Sequence, residues 1–448
     1  MDGRMRRELA MSILSVISIP AVLAAQSGTS CAPDNLGIKL PPGFCATLFA
    51  DSIPTPRQIA VAANGDVFVA AQGGRGGTGG VIALRDPNNS GRATVREQFA
   101  TGASSHLVLF EGHLYAELQP PRPARGQTPS GPPGTTTILR YPLKAGELKP
   151  SGPADTIVQG IVYQPGHYTR NFAIGRDGAM YLNIGSATNN CQARDRTKGE
   201  PGVNPCVELE TRAGIWKFDA RKKNQTPSSA IHFAKGIRNA VGIAIAPTDG
   251  RLWVTQHGRD DLASWFAQLG MDSVAAIKYN AENPAEELMQ VNQGDDFGWP
   301  YCYFSTAERK RVQAPEYGGD GKKTADCGTK KEPVATFPGH WAPNALFFYT
   351  GSALPAKYKN GAFIAFHGSW NRAPEPQGGF NVVFQPLRDN KAVGTYEVFA
   401  DNFATNLGAG RGNAGARRPT AIAQTADGGL LIADDASGKI YKIAYTGK

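Results

Sequence analysis

Residues 236–260, "GIRNAVGIAIAPTDGRLWVTQHGRD", decide the fold. An apolar run leads to a turn at Asp249-Gly250, and a second apolar run follows. This is the signature of a β-hairpin, because Asp-Gly readily takes the positive φ that a tight hairpin turn needs. Polar residues bracket the pair: Arg238 and Asn239 before the first run, Gln256 to Asp260 after the second. The open ends of a hairpin lie together, away from the turn, so the two brackets are expected to be neighbours in space.

The pattern recurs. "RQIAVAANGDVFVAAQ" (57–72), "RNFAIGRDGAMYLNIGS" (170–186) and "RPTAIAQTADGGLLIADD" (418–435) each have a polar entry, an aliphatic strand, an Asn-Gly or Asp-Gly turn and a second apolar strand. Looser copies begin at Ser104 ("SSHLVLFEGHLYAEL") and Ala342 ("APNALFFYTGSALPAKYKNGAFIAFHGSWNR"). With the opening hairpin these make six units, starting near 57, 104, 170, 238, 343 and 418. Repeated short-strand units at this scale predict an all-β, six-bladed β-propeller with long inter-strand loops. The 53 glycines and 32 prolines suit short strands and tight turns. The segment of about 261–340 is expected to be one large insertion holding helix-like stretches such as "AENPAEELMQV" (281–291).

The first residues read differently. Arg4, Arg6 and Arg7 precede a short apolar run that ends in small residues at Val22-Leu23-Ala24. This predicts a signal peptide over 1–25, leaving 26–448 for the propeller in a periplasmic or secreted protein. The alternative, an uncleaved anchor, is disfavoured by the run's brevity and Pro20, so no stable membrane span is expected. Export gives meaning to six cysteines in three local couples, expected as the disulfides Cys31–Cys45, Cys191–Cys206 and Cys302–Cys327. No Cys-x-x-Cys-His occurs, so the chain carries no covalent c-type haem. The net charge of +9 comes without a lysine–arginine run, and no nucleic acid is expected as partner.

Two matches to G-x-G-x-x-G, "GRGGTG" (74–79) and "GRGNAG" (410–415), each run into a strand-like segment. A dinucleotide site needs a helix there. Neither a G-x-S-x-G elbow nor H-E-x-x-H is present.

If the six hairpins are the inner strands of six blades, their brackets ring one mouth of the central channel. That ring collects Arg57, Gln58, Gln72, His106, His167, Arg170, Asn171, Ser186, Arg238, Asn239, His257, Arg259 and Asp260. It continues with His367, Asn371, Arg372, Arg417, Arg418, Asp434 and Asp435. Arginines outnumber aspartates in this set, and guanidinium groups bind carboxylates through paired N–H contacts. A flat ligand bearing several carboxylates is expected.

The residues also carry a resemblance. "GHYTRNFAIGRDGAMYLNIGS", "GIRNAVGIA", "WVTQHGRDDL", "DDFGWPYC", "AFHGSWNR" and "RRPTAIAQTADG" together resemble the glucose/sorbosone dehydrogenase family, in its sorbosone-dehydrogenase-like branch. The resemblance runs from about Leu40 to the C-terminus. It implies a six-bladed quinoprotein using pyrroloquinoline quinone (PQQ), a planar tricarboxylate, with Ca²⁺. It implies His167 as the catalytic base and Arg238 as a catalytic and PQQ-binding residue. Arg57, Gln58, Asn239, Asn371, Arg372, Arg417 and Arg418 are the other implied PQQ contacts. The backbone carbonyls of Gly258 and Arg259 would hold calcium. The chain departs from the soluble glucose dehydrogenases at Ser186, where they carry an aspartate supporting the base, and at Asn371, where they place a lysine. The implied reaction is oxidation of a sugar or sugar-derived aldehyde or alcohol by hydride transfer to the quinone. A separate cytochrome or quinone would take the electrons. The competing readings are a calcium-dependent lactonase-type hydrolase and a non-catalytic ligand-binding propeller, since fold alone does not set function.

Overall fold

The computed structural model describes residues 31–74, 78–119, 134–163, 166–405 and 417–447. The expected signal peptide and the second glycine-rich stretch lie outside these residues.

Alternation along single strands explains how the sheets pack. In the strand Val67–Ala71 every residue is buried. Val67, Val69 and Ala71 pack with Ala421, Leu431 and Ala433, whereas Phe68 and Ala70 pack with Leu107, Leu114 and Ala116. A strand buried on both faces needs apolar residues at both parities, and this one supplies them. Each sheet is therefore sandwiched between two others, and the hydrophobic clusters lie between neighbouring sheets.

There are six such sheets. The first blade is Pro56–Val61, Val67–Ala71, Gly79–Arg85 and Val95–Gly102; the second is Leu107–Phe110, His113–Leu118, Thr135–Pro142 and Asp155–Val162. The third is Phe172–Ile174, Ala179–Ile184, Gly214–Asp219 and Ile231–Lys235. The fourth joins Ala240–Ile245, Leu252–Gln256, Glu286–Val291 and Ala335–Phe337; the fifth is built on Pro343–Phe347, Gly361–Phe366, Asn381–Arg388 and Glu397–Ala400. The sixth takes Pro419–Gln424, Leu430–Asp434 and Lys439–Tyr445 from the end of the chain and Phe44–Ala50 from near its beginning. That last pairing, antiparallel with Phe44 opposite Tyr445, closes the ring by tying the two ends of the chain into one blade. The architecture is the expected six-bladed propeller. Gly79–Arg85 continues the first glycine-rich stretch as a strand, as expected.

The opening hairpin is the inner pair of the fourth blade. Ala240 stands opposite Gln256, and the His257 amide donates to the Asn239 carbonyl at 3.1 Å. The same stitch closes the other five hairpins: Gln72 N–H to Thr55 O, Glu117 N–H to His106 O, Asn183 N–H to Asn171 O, His367 N–H to Ala342 O and Asp435 N–H to Arg418 O.

The segment 261–340 is only in part an excursion. It holds the helix Ser273–Glu282 and the hairpin Cys302–Ser305 with Lys310–Gln313, but it also supplies the two outer strands of the fourth blade. The stretch 281–291, expected to be helix-like, is mostly the strand Glu286–Val291. Pro284 ends the helix, and the acidic residue that suits a helix, Glu287, is instead buried in an ion pair with Arg311. All three expected disulfides are present, with Cα–Cα separations of 5.6, 6.1 and 5.7 Å. No helix among the described residues is long and apolar enough to cross a membrane.

Candidate active site

The hairpin brackets do converge. A cavity of about 330 Å³ is lined by Arg57, His167, Arg238, Asn239, His257, Gly258, Asp260, His367, Asn371 and Arg418, all expected from the sequence. It lies within the ~300–1,000 Å³ typical of small-molecule sites. Tyr168, Arg196, Glu286, His340, Asn344 and Trp370 complete much of the wall and were not expected.

His167 donates from Nδ1 to the Ser186 carbonyl at 2.8 Å, with Ser186 Oγ at 3.1 Å from the same nitrogen. That contact assigns the ring proton to Nδ1 and leaves Nε2 with its lone pair. Burial, and then the Arg238 charge, push the imidazole well below its usual range, so it is neutral at pH 7. Ser186 thus orients the base without adding a charge.

Arg238 uses four of its five N–H groups inside the wall. It donates to Asn189 O at 3.1 Å, Asn189 Oδ1 at 3.0 Å, Gly258 O at 2.9 Å and Asp260 Oδ2 at 3.2 Å. Asp260 also accepts from Arg196 at 2.7 Å and from the Asn371 amide. Burial opposes ionisation of Asp260, but Arg238 and Arg196 outweigh it and hold the carboxyl well below the usual range. His340 completes this side, accepting from Asn371 Nδ2 at 3.2 Å on Nδ1 and donating from Nε2 to Asn280 O at 2.7 Å.

The opposite side is a second chain of contacts. Arg57 pairs with Asp435, which accepts from His367 Nε2 at 2.9 Å; His367 Nδ1 accepts from Arg418 at 3.1 Å. The Arg418 guanidinium lies 5.1 Å from the centre of the Phe380 ring. Glu286 is buried and accepts from the Gly258 and Ala342 amides at 3.0 and 3.3 Å. Burial pushes its carboxyl up to about 8, so it is mainly neutral at pH 7. The lining then presents Arg57, Arg196, Arg238 and Arg418 against one ionised carboxylate of its own, Asp260, while Asp435 and Asp261 pair with Arg57 and Arg196 from behind the wall. An anion is the natural occupant.

Other expected residues are placed elsewhere. Gln58 and His106 line a separate cavity between the inner strands. The Arg259 side chain turns into a buried ion pair with Glu316. Arg372 donates to Gly339 O at 3.0 Å and Pro376 O at 2.9 Å, and pairs with Glu282. Arg417 donates to Leu36 O at 2.8 Å and Asn402 O at 2.6 Å and packs on Phe403 and Tyr441. Arg170 is buried and donates to Val162 O at 2.9 Å and Thr169 O at 3.1 Å. Asp434 holds its own turn, accepting from the Arg418 and Ala436 amides. Gln72 and Asn171 are buried. Among the described residues no group of three or more His, Cys, Asp or Glu side chains could hold a metal. Of the missed residues, Tyr168 and Trp370 stand beside His167 and Asn371 in the bracket motifs, and Arg196 lies in a loop between Cys191 and Cys206 that also carries Arg194 and Lys198.

Residues 133–446 match a family model described as TrAA12-like. The chain is 27% identical over 318 residues to a pyrroloquinoline quinone-dependent pyranose dehydrogenase of Coprinopsis cinerea, covering 62% of this chain and 39% of that one. It is 30% identical over 152 residues to a pyrroloquinoline quinone-dependent sugar dehydrogenase of Hypocrea jecorina, covering 30% and 31%. The chain spans less than half the length of these curated relatives. A Trichoderma reesei structure of the carbohydrate-active enzyme family AA12 superposes with a TM-score of 0.69 at 19% identity, covering 91% of this chain and 97% of that one. The holo PQQ domain of the Coprinopsis cinerea pyranose dehydrogenase gives 0.67 at 20%, with the same coverage. The soluble aldose sugar dehydrogenase of Escherichia coli gives 0.57 at 13%, covering 90% and 99%. At such identities these superpositions bear on the fold alone.

Proposed function

The chain belongs to the TrAA12-like family, and we propose that it is a PQQ-dependent dehydrogenase oxidising a sugar or a sugar-derived aldehyde or alcohol. The resemblance to glucose/sorbosone dehydrogenases thus holds at family level, and the sorbosone-like branch is part of the proposal. The observation that carries the reading is a cavity with four arginines and one ionised carboxylate beside a neutral, oriented histidine. The relatives named for PQQ-dependent sugar oxidation support it.

A planar tricarboxylate fits the donor chemistry. Arg57 and Arg418 each spend part of a guanidinium on Asp435 and His367 and have further N–H groups to offer carboxylates. Arg238 and Asn239 would face it from the fourth blade. Calcium is proposed on the Gly258 and Arg259 carbonyls together with oxygens brought by the cofactor, the Gly258 oxygen using the lone pair that Arg238 leaves, since the nearby carboxyl groups of Asp260 and Glu286 are engaged by arginines and amides.

PQQ, when bound, supplies the two-electron acceptor for the hydride leaving the substrate carbon. His167 Nε2 takes the hydroxyl proton of the same carbon, and Ser186 holds the ring in the tautomer that can do so. Arg238 and Arg418 stabilise negative charge as it grows in the cavity. Asp260 keeps Arg238 in place. The electrons pass on to a separate acceptor, a cytochrome or quinone, and the protein acts in the periplasm or outside the cell.

A lactonase-type hydrolase fits the lining less well. It needs free carboxylates around calcium, whereas Asp260 is held by two arginines and Glu286 by two backbone amides. The test is reconstitution: purified protein with PQQ and Ca²⁺ should show quinone absorbance that bleaches on adding sugars. Protein that binds no PQQ, or whose bound PQQ no sugar bleaches, refutes the reading.

A further inference from the structure

One large aromatic side chain stands apart at this cavity. Trp370 lines the wall yet is 47% exposed, the only tryptophan among the described residues left so open. What sets it apart from other exposed apolar side chains is its place on the cavity wall, where its ring is open to a ligand.

Its backbone is firmly fixed. Gly368 N–H donates to Trp341 O at 2.9 Å and Ser369 N–H to Gly378 O at 2.9 Å. Ser369 Oγ donates to Gln377 Oε1 at 2.7 Å and accepts from the Gly378 amide at 2.8 Å. On the far side Asn371 is tied to Asp260 and His340, and Arg372 to Gly339. Gly368 has φ +93°, and a Cβ there would meet the Phe380 ring, so the loop admits little other shape. The loop is anchored on both sides of a residue whose ring is left uncovered.

Most of the side chains around it are chemically the opposite, arginine, histidine, asparagine and carboxyl groups, with Tyr168, Val241 and Ala342 the other apolar or aromatic members. A pyranose carries both characters. Its rim of hydroxyls suits the polar wall, and the C–H groups of one ring face suit an aromatic surface.

We propose that Trp370 is a substrate-specificity residue, a platform on which the apolar face of a pyranose ring rests while its hydroxyl edge meets His167. This deepens the sugar dehydrogenase reading and rests on it. Short acyclic substrates lack such a face and gain nothing from the indole.

The test compares wild type, Trp370→Ala and Trp370→Phe, reconstituted with PQQ and Ca²⁺. For pyranoses, Trp370→Ala should raise KM about tenfold, equivalent to ~1.4 kcal/mol. Its kcat and its affinity for PQQ should change little, glyceraldehyde should be oxidised with unchanged KM, and Trp370→Phe should recover much of the loss. A second readout needs no turnover: a pyranose titrated into wild type should alter indole emission, and this change should be absent in Trp370→Phe. Unchanged KM for pyranoses in Trp370→Ala, an equal rise for glyceraldehyde, or an emission change that survives in Trp370→Phe overturns the proposal. Failure of wild type to oxidise any sugar strikes the dehydrogenase reading instead, and the emission titration then still decides the platform.

Discussion

Arg238 and Asp260 meet at 3.2 Å, joining the entry and exit brackets of a single hairpin across the wall of the cavity. The contact is buried and shared, since Arg196 reaches the same oxygen at 2.7 Å. Removing one partner of a buried pair leaves the other charge without compensation, at about 3–5 kcal/mol. Asp260→Ala should lose stability on that scale in urea unfolding, with little dependence on added salt. Wild-type stability in this variant would show that Arg238 does not depend on Asp260.

Arg57, Arg418 and Arg417 look alike in sequence but do different work. Arg57 and Arg418 face the cavity, whereas Arg417 is spent on Leu36 and Asn402 carbonyls. Hydrogen bonds to charged groups contribute ~1.5–3 kcal/mol, so Arg57→Gln and Arg418→Gln should each weaken PQQ binding about 10- to 100-fold. Arg417→Gln should lower the melting temperature and leave the Kd for PQQ within about twofold, below the resolution of a single neutral contact. Equilibrium titration of each variant checks the order.

Stability should peak near pH 6.5 in the protein without cofactor. Burial lowers His106 and His257 from 6.5 to about 3, and lowers His167, His340 and His367 as well. Below pH 6.5 the unfolded chain takes up protons that the fold refuses, so stability falls toward acid. Glu117 and Glu286 run the other way, raised by burial from 4.5 to about 7 and about 8. They hold protons that the unfolded chain has lost, so stability falls as pH rises through those values. The histidines outnumber the glutamates below 6.5, and only the glutamates act above it. Each unbalanced proton contributes about 1.4 kcal/mol per pH unit. Melting temperatures from pH 4.5 to 8.5 test this, and a steady rise from 6.5 down to 4.5 contradicts it.

The Cys191–Cys206 bridge closes the loop that carries Arg196 to Asp260. Closing a loop of this length stabilises by ~3 kcal/mol in the chain-entropy model. The double variant Cys191→Ser/Cys206→Ser should lose a similar amount in urea unfolding and should weaken PQQ binding by loosening Arg196. Unaltered affinity for PQQ would separate the loop from the site.

The inner hairpins were legible because their information is local: an Asp-Gly or Asn-Gly turn flanked by apolar runs specifies two strands at once. Outer strands and ring closure were not, because Phe44–Ala50 meets Lys439–Tyr445 through pairing between opposite ends of the chain. Strand Glu286–Val291 was hidden for a related reason, its glutamates being neutralised by Arg311 and by backbone amides that no local pattern reveals. The site was half legible. Strand ends announced His167, Arg238, Asn371 and Arg418, but His340 and Glu286 arrive from the long segment after the fourth hairpin. Arg170, Arg259 and Arg372 matched the same pattern and proved to be bonded inside the fold, because their partners are set by tertiary packing.

The most direct test of the account is single-turnover reduction of bound PQQ in the His167→Ala variant. Removing a general base costs about 10²–10⁴ in rate. The variant should bind PQQ with near wild-type affinity, because His167 contributes no charge to the cavity, and its quinone absorbance should stay unbleached by sugars over the time wild type needs for complete reduction. Bleaching at a rate close to wild type would contradict the assignment of His167 as the base.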